Sequence, residues 1–74
     1  YKLYPNPATD RVYLETPEPV KSVRIINILG KVVMNTNLTG DNFITIDTSN
    51  LPSGNYIFQW ITDSGAYSSK FIRK

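Results

Sequence analysis

Seventy-four residues with eight basic and six acidic side chains give a formal charge of +2, and the chain has neither cysteine nor histidine. A chain of this length supports one core near the lower limit for folding without a staple, and no disulfide, thiolate site or imidazole supplements it. The same inventory removes the ordinary nucleophile–histidine triads, the charge is too small to argue for nucleic acid, and no apolar run approaches the roughly 18 residues of a membrane span.

Tyr4-Pro5-Asn6-Pro7-Ala8-Thr9-Asp10 opens the chain. Proline fixes its own φ and pushes the preceding residue toward extended backbone, so this block is expected to be a stiff lead-in, with Asp10 capping the turn into the first clear strand. Arg11 to Glu15 then alternates, with Val12 and Leu14 on one face. Pro17 and Pro19 lack the amide a sheet ladder requires and are expected to end that strand. A second strand is predicted near Lys21 to Ile28, followed by a tight turn at Leu29-Gly30-Lys31 that uses the free φ of glycine. Val32-Val33-Met34 begins a third strand that fades into Asn35-Thr36-Asn37, its register left open by the sequence. Thr39-Gly40-Asp41-Asn42 reads as a turn cluster before Phe43 to Asp47 alternates again.

The segment Leu51-Pro52-Ser53-Gly54-Asn55-Tyr56 leads into the most β-prone stretch, Asn55 to Thr62, and Asp63-Ser64-Gly65 turns that stretch into Ala66 to Arg73 as a hairpin. In sandwiches, a tyrosine near the start of the penultimate strand bonds its hydroxyl to the backbone of the preceding corner. Tyr56 is expected in that role, with Gly54 allowing a close backbone approach and Leu51 plugging the core beneath. Phe58 and Trp60 share the face of Tyr56. Ile57, Gln59 and Ile61 make the other face unexpectedly apolar, so either they meet a partner or the inward face is the opposite one. Six or seven short strands at eight- to twelve-residue intervals predict an all-β fold, an antiparallel immunoglobulin-like β-sandwich occupying residues 1–74 as one domain.

Candidate chemistry is sparse. The acids Asp10, Glu15, Glu18, Asp41, Asp47 and Asp63 mostly flank turns, where carboxylates cap amides, and no glycine-rich phosphate loop is present. Asp41, Asn42 and Asp47 lack the dense alternation of oxygen ligands that a calcium loop uses. No cofactor, metal or catalytic residue is expected. Asn37-Leu38-Thr39 fits the N-glycosylation pattern. Beyond Asp63 all charged side chains are basic, with Lys70, Arg73 and Lys74 in the last five positions; they form either a docking surface or a solvated strand end.

Taken in order, Pro5, Asn6, Pro7 and Asp10, then Gly30-Lys31, then Gly54 and Tyr56, then Lys70-Phe71-Ile72-Arg73-Lys74 resemble the motifs of the C-terminal sorting domain (type A) of the type IX secretion system of Bacteroidota. The resemblance runs nearly end to end, although Arg73 stands where that family often has an apolar residue or lysine, and Trp60 is bulkier than usual. It implies a folded, non-enzymatic secretion signal following a cargo domain, exported from the periplasm by an outer-membrane translocon that reads residues 70–74. It further implies a sortase-like surface peptidase cutting upstream of the opening block and anchoring of the cargo to surface lipopolysaccharide. The chain begins at Tyr1 without a signal-peptide pattern, as the tail of a longer precursor would. The competing reading is an accessory immunoglobulin-like module, a spacer or carbohydrate binder, for which Tyr13 and Tyr67 are the available aromatics. Weak homodimers through Ile57 and Ile61 or open strand edges are also expected.

Overall fold

A computed structural model describes residues 1–74 and contains five strands and no helix: β1 (Lys2–Tyr4), β2 (Arg11–Asn27), β3 (Val32–Asp47), β4 (Gly54–Thr62) and β5 (Gly65–Arg73). Every neighbouring pair is antiparallel. β2 is the centre of the sheet. β3 pairs along one of its edges, while the other edge is divided between β1, opposite residues 13–15, and β4, opposite residues 22–27. β5 lies on the far side of β4, and the sheet curls as a half-barrel.

The strand count differs from the six or seven short strands expected, because two predicted pairs are each one continuous strand. Pro17 and Pro19 interrupt the ladder but not the extended backbone. The β2–β3 register shifts between Glu15 and Val20, β1 reaches only as far as Glu15, and β4 begins opposite Ser22. Residues 16–19 therefore have no strand partner on either side, which is where a residue without an amide is tolerated. In place of a ladder, Asn42 Nδ2 donates to the carbonyls of Thr16 and Pro17, both at 3.1 Å. Gly40, at φ +103°, takes up the bend in β3 opposite the prolines; a Cβ there would lie 3.6 Å from Pro19 Cβ.

That bend is required by size. A straight strand of the 17 residues in β2 would span about 55 Å, whereas the longest dimension of the molecule is 31 Å. The β2–β3 hairpin doubles over, and the apolar faces of its two halves close on β4 and β5. Val12, Leu14, Ile44 and Ile46 from the first half, and Val20, Val23 and Ile25 from the second, join Tyr56, Phe58, Trp60 and Phe71 in a core of 13 buried side chains. The inward face of β4 is thus the aromatic one, and Ile57 and Ile61 are exposed on the outer face. Across the sheet, the Tyr1 ring lies 4.9 Å from Trp60 and its hydroxyl bonds Ser69.

Leu14→Ala, at a fully buried position, should cost about 2–5 kcal/mol through transfer and cavity terms. Ile61→Ser on the outer face should cost no more than about 1 kcal/mol. Urea midpoints of the two variants check the assignment of the faces, and equal midpoints would refute it.

Candidate functional site

The four blocks singled out in the sequence meet at one end of the doubled hairpin. The outer edge of β5 is met there by the opening block. Ile72 N donates to Asn6 Oδ1 at 3.0 Å, Ala8 N donates to Ile72 O at 2.7 Å, and Lys74 N donates to Ala8 O at 2.8 Å. These bonds place Ala8 in a parallel bridge with Arg73. Ala8 is fully buried. Pro5 and Pro7 follow cis peptide bonds and are exposed on the surface of this closure.

Thr48 ties the opening block to the rest. Its hydroxyl donates to Thr9 O at 2.9 Å, its amide to Asp10 O at 2.7 Å, and its own carbonyl accepts from Leu51 N and from Arg73 Nε at 3.0 and 2.8 Å. Asp10 thus joins the site through its backbone carbonyl, and the carboxylate that caps an amide at this end is that of Asp47, which accepts from Ser49 N at 2.9 Å. The Asp47 carboxyl is held below its ordinary value by hydrogen bonds from the Ser49 side chain and then its amide. Asp41 pairs with Val20 at the bend of the hairpin and Asp47 with Arg11 at its open end, so these two acids do not share a site.

Tyr56 donates its hydroxyl proton to Pro52 O at 2.5 Å, and its ring stacks on Phe71 with centroids 5.6 Å apart. Leu51 is buried in the core beside it. A Cβ on Gly54 would meet nothing within 4 Å, so close backbone approach is not what places a glycine there. The Gly30-Lys31 turn is organised by a residue the sequence reading passed over: Asn27 Oδ1 accepts from both Leu29 N and Lys31 N at 3.0 Å, an Asx-type turn. Gly30 supplies the positive φ, +81°, that this turn requires.

Within residues 70–74 the roles divide. Phe71 is buried, and Lys70, Ile72 and Lys74 are exposed. Arg73 is half-buried, and its guanidinium bonds the carbonyls of Thr48, Ser49 and Lys74, so it ties the end of the chain to the corner instead of standing free as a surface charge. A groove of about 640 Å³ opens between the blocks. Its lining draws Asn6 from the opening block, Gly30 from the turn, Tyr56 from the corner, and Lys70, Phe71 and Ile72 from the closing block. Ile26, Ile28 and Ile57 fill the wall between them.

A family model described as secretion system C-terminal sorting domain matches residues 2–74. The chain belongs to that family, whose members are sorting signals for type IX secretion and not an enzyme family. Membership implies a cargo N-terminal to the chain, interaction with the secretion machinery, and delivery through the outer membrane to the cell surface or beyond. No curated protein matches the chain. No helix is long and apolar enough to cross a membrane, a statement that leaves strands aside.

Two outcomes test this geometry. Tyr56→Phe and Arg73→Ser should each lower stability by about 1–2 kcal/mol through lost hydrogen bonds, whereas Lys70→Ser and Lys74→Ser should stay within about 0.5 kcal/mol; denaturant midpoints distinguish the two pairs. Because the folded Asp47 carboxyl lies below the ordinary 3.8, its contribution is complete above that value and is lost as pH falls through the folded one. Asp47→Asn should flatten that acid limb of the stability–pH profile measured at low salt.

Proposed function

We propose that the end where the four blocks meet is the face the secretion machinery reads, and that residues 70–74 act as part of this composite surface rather than as a free tail. The observation that supports it is the set of bonds joining Ile72 and Lys74 to Asn6 and Ala8, which presents the opening and closing blocks together. On this reading the chain is a folded signal of a Bacteroidota precursor, 1–74 forming one domain that passes through the periplasm. Lys70, Ile72 and Lys74 contact the outer-membrane translocon, and Phe71 and Arg73 hold them in place. A sortase-like surface peptidase then removes the domain upstream of the opening block, and the cargo is anchored to surface lipopolysaccharide. A cargo joined at Tyr1 would approach from the bend side of the sheet, since Lys2 pairs with Glu15 and Tyr4 with Tyr13.

The immunoglobulin-like sandwich belongs to the same proposal. Counting each of the two long strands as two segments at the bend turns five strands into seven. These form one layer of β1 with the outer halves of the hairpin, facing another layer of its inner halves with β4 and β5. Weak pairing of two copies through Ile57 and Ile61 is a further, subsidiary proposal.

A second reading, an accessory carbohydrate-binding module, draws on a row of rings on β1, β2 and β3. Tyr13 stacks on Phe43 with centroids 5.9 Å apart and lies 5.5 Å from Tyr4, which is 37% exposed. The neighbouring Glu15 carboxylate, by hydrogen bonding with the phenol, raises the Tyr4 pKa.

Fusion of the chain to a periplasmic reporter in a type IX-competent host tests the function. Surface delivery is expected for the intact chain and none after deletion of residues 70–74. Retention of the intact fusion in the periplasm would sink the reading. Replacing Lys70 and Lys74 with Ser should reduce delivery with melting unchanged, which separates recognition from folding.

A further inference from the structure

We propose that the groove at the motif end is the docking site for an extended apolar peptide segment carrying a carboxylate, presented by the secretion apparatus; this rests on the sorting reading above and names the chemistry of its partner. The walls are apolar and open to solvent: Ile28 is 78%, Ile72 47% and Ile57 37% exposed. Isoleucines in such number around one concavity mark an interaction surface rather than scattered surface apolars. The floor is rigid, since Tyr56 and Phe71 are buried and stacked, and a volume near 640 Å³ falls in the range of ligand sites.

The charge of the lining is one-sided. Lys70 is the sole charged residue lining the groove. Asn6, Asn27 and Asn55 also line it. Asn6 and Asn27 use their Oδ1 atoms to accept backbone amides of their own chain, which leaves them the donor nitrogen, as for Lys70, while Asn55 offers one acceptor beside its own donor nitrogen. A lining with donors in excess and no carboxylate complements acceptors, so the fitting occupant brings apolar side chains to the isoleucines and a carboxylate to Lys70. A basic segment would meet repulsion there, and a purely apolar one would leave the ammonium unpaired.

The probe is a synthetic peptide, acetyl-Gly-Leu-Glu-Ile-Glu-Leu-Gly-amide, with one control in which Lys replaces Glu and another in which Ser replaces Leu and Ile. Titrated against the folded chain, the acidic apolar peptide should shift the amide resonances of Gly30, Ile57, Lys70 and Ile72. Binding should weaken with salt and fall roughly tenfold in Lys70→Glu, which reverses the one lining charge without touching the core. No shifts at millimolar peptide, shifts confined to the Tyr67 end, or equal binding of the Lys peptide would each overturn the proposal. So would a dimer whose contacts map to Ile57 and Ile72, which would give the groove to a second copy.

Delivery of the fused reporter separates this proposal from the function. Ile57→Ser with Ile72→Ser, and independently Lys70→Glu, should reduce delivery, while Ile61→Ser on the same strand outside the groove should not. If the wild-type fusion is delivered and both groove variants match it, the sorting function stands and the groove is not its docking site. If the wild-type fusion is retained while the peptide still binds, the docking chemistry stands and its assignment to the apparatus falls.

Discussion

Residues 16–19 of β2 lie between two well-paired stretches and have no ladder partner on either side, and the geometry of the whole motif end depends on that gap. An uninterrupted ladder would hold β2 and β3 as one long twisted ribbon, exposing an apolar face along its length. With proline removing two donors and Asn42 satisfying the stranded carbonyls from the side, the ribbon folds over at low cost. The fold brings Arg11 and Asp47 round to the end where Asn27 and Val32 make their turn. Blocks far apart in sequence become neighbours because proline takes two of the four amide donors from one stretch of chain.

The second dependence is between the two ends of the chain. β5 is an edge strand, and open edges invite pairing with other chains. The opening block covers only the last part of that edge, through Asn6 and Ala8, and Thr48 locks the cover from beneath. The arrangement accounts for the spacing of polar residues that otherwise look unrelated. Asn6 imitates a strand's acceptor where proline on both sides precludes a true strand, and the guanidinium of Arg73 satisfies carbonyls at a turn that has no ladder to do so.

Much of this was legible in the sequence, because alternation reports which face is buried: Val12, Leu14, Ile44 and Ile46 are all core, and the β4–β5 hairpin runs register by register from Gly54 opposite Arg73 to Thr62 opposite Gly65. What alternation does not report is whether a break in hydrogen bonding is also a break in backbone direction. Pro17 and Pro19 are the first without the second, so two expected strands are one. Side chains bonded to distant backbone were also hidden, since Asn42 and Thr48 look like ordinary turn residues until their partners are known. Arg73 looks like a surface charge for the same reason, two of its three acceptors lying 25 and 24 residues earlier.

The bonds from Ala8 and Asn6 to residues 72 and 74 also set an order of events. A chain made and threaded from its N-terminus offers Asn6, Ala8 and Thr48 long before Ile72, Arg73 and Lys74 exist to bind them. The sheet can therefore begin to assemble early but cannot seal its edge until those final residues have been added. A product that terminates prematurely would carry the opening block, the hairpin and the corner, yet leave Ala8 unpaired and the Thr48 carbonyl without its arginine. The closing block is thus displayed only against the opening one, and neither half of that surface is held in place without the other.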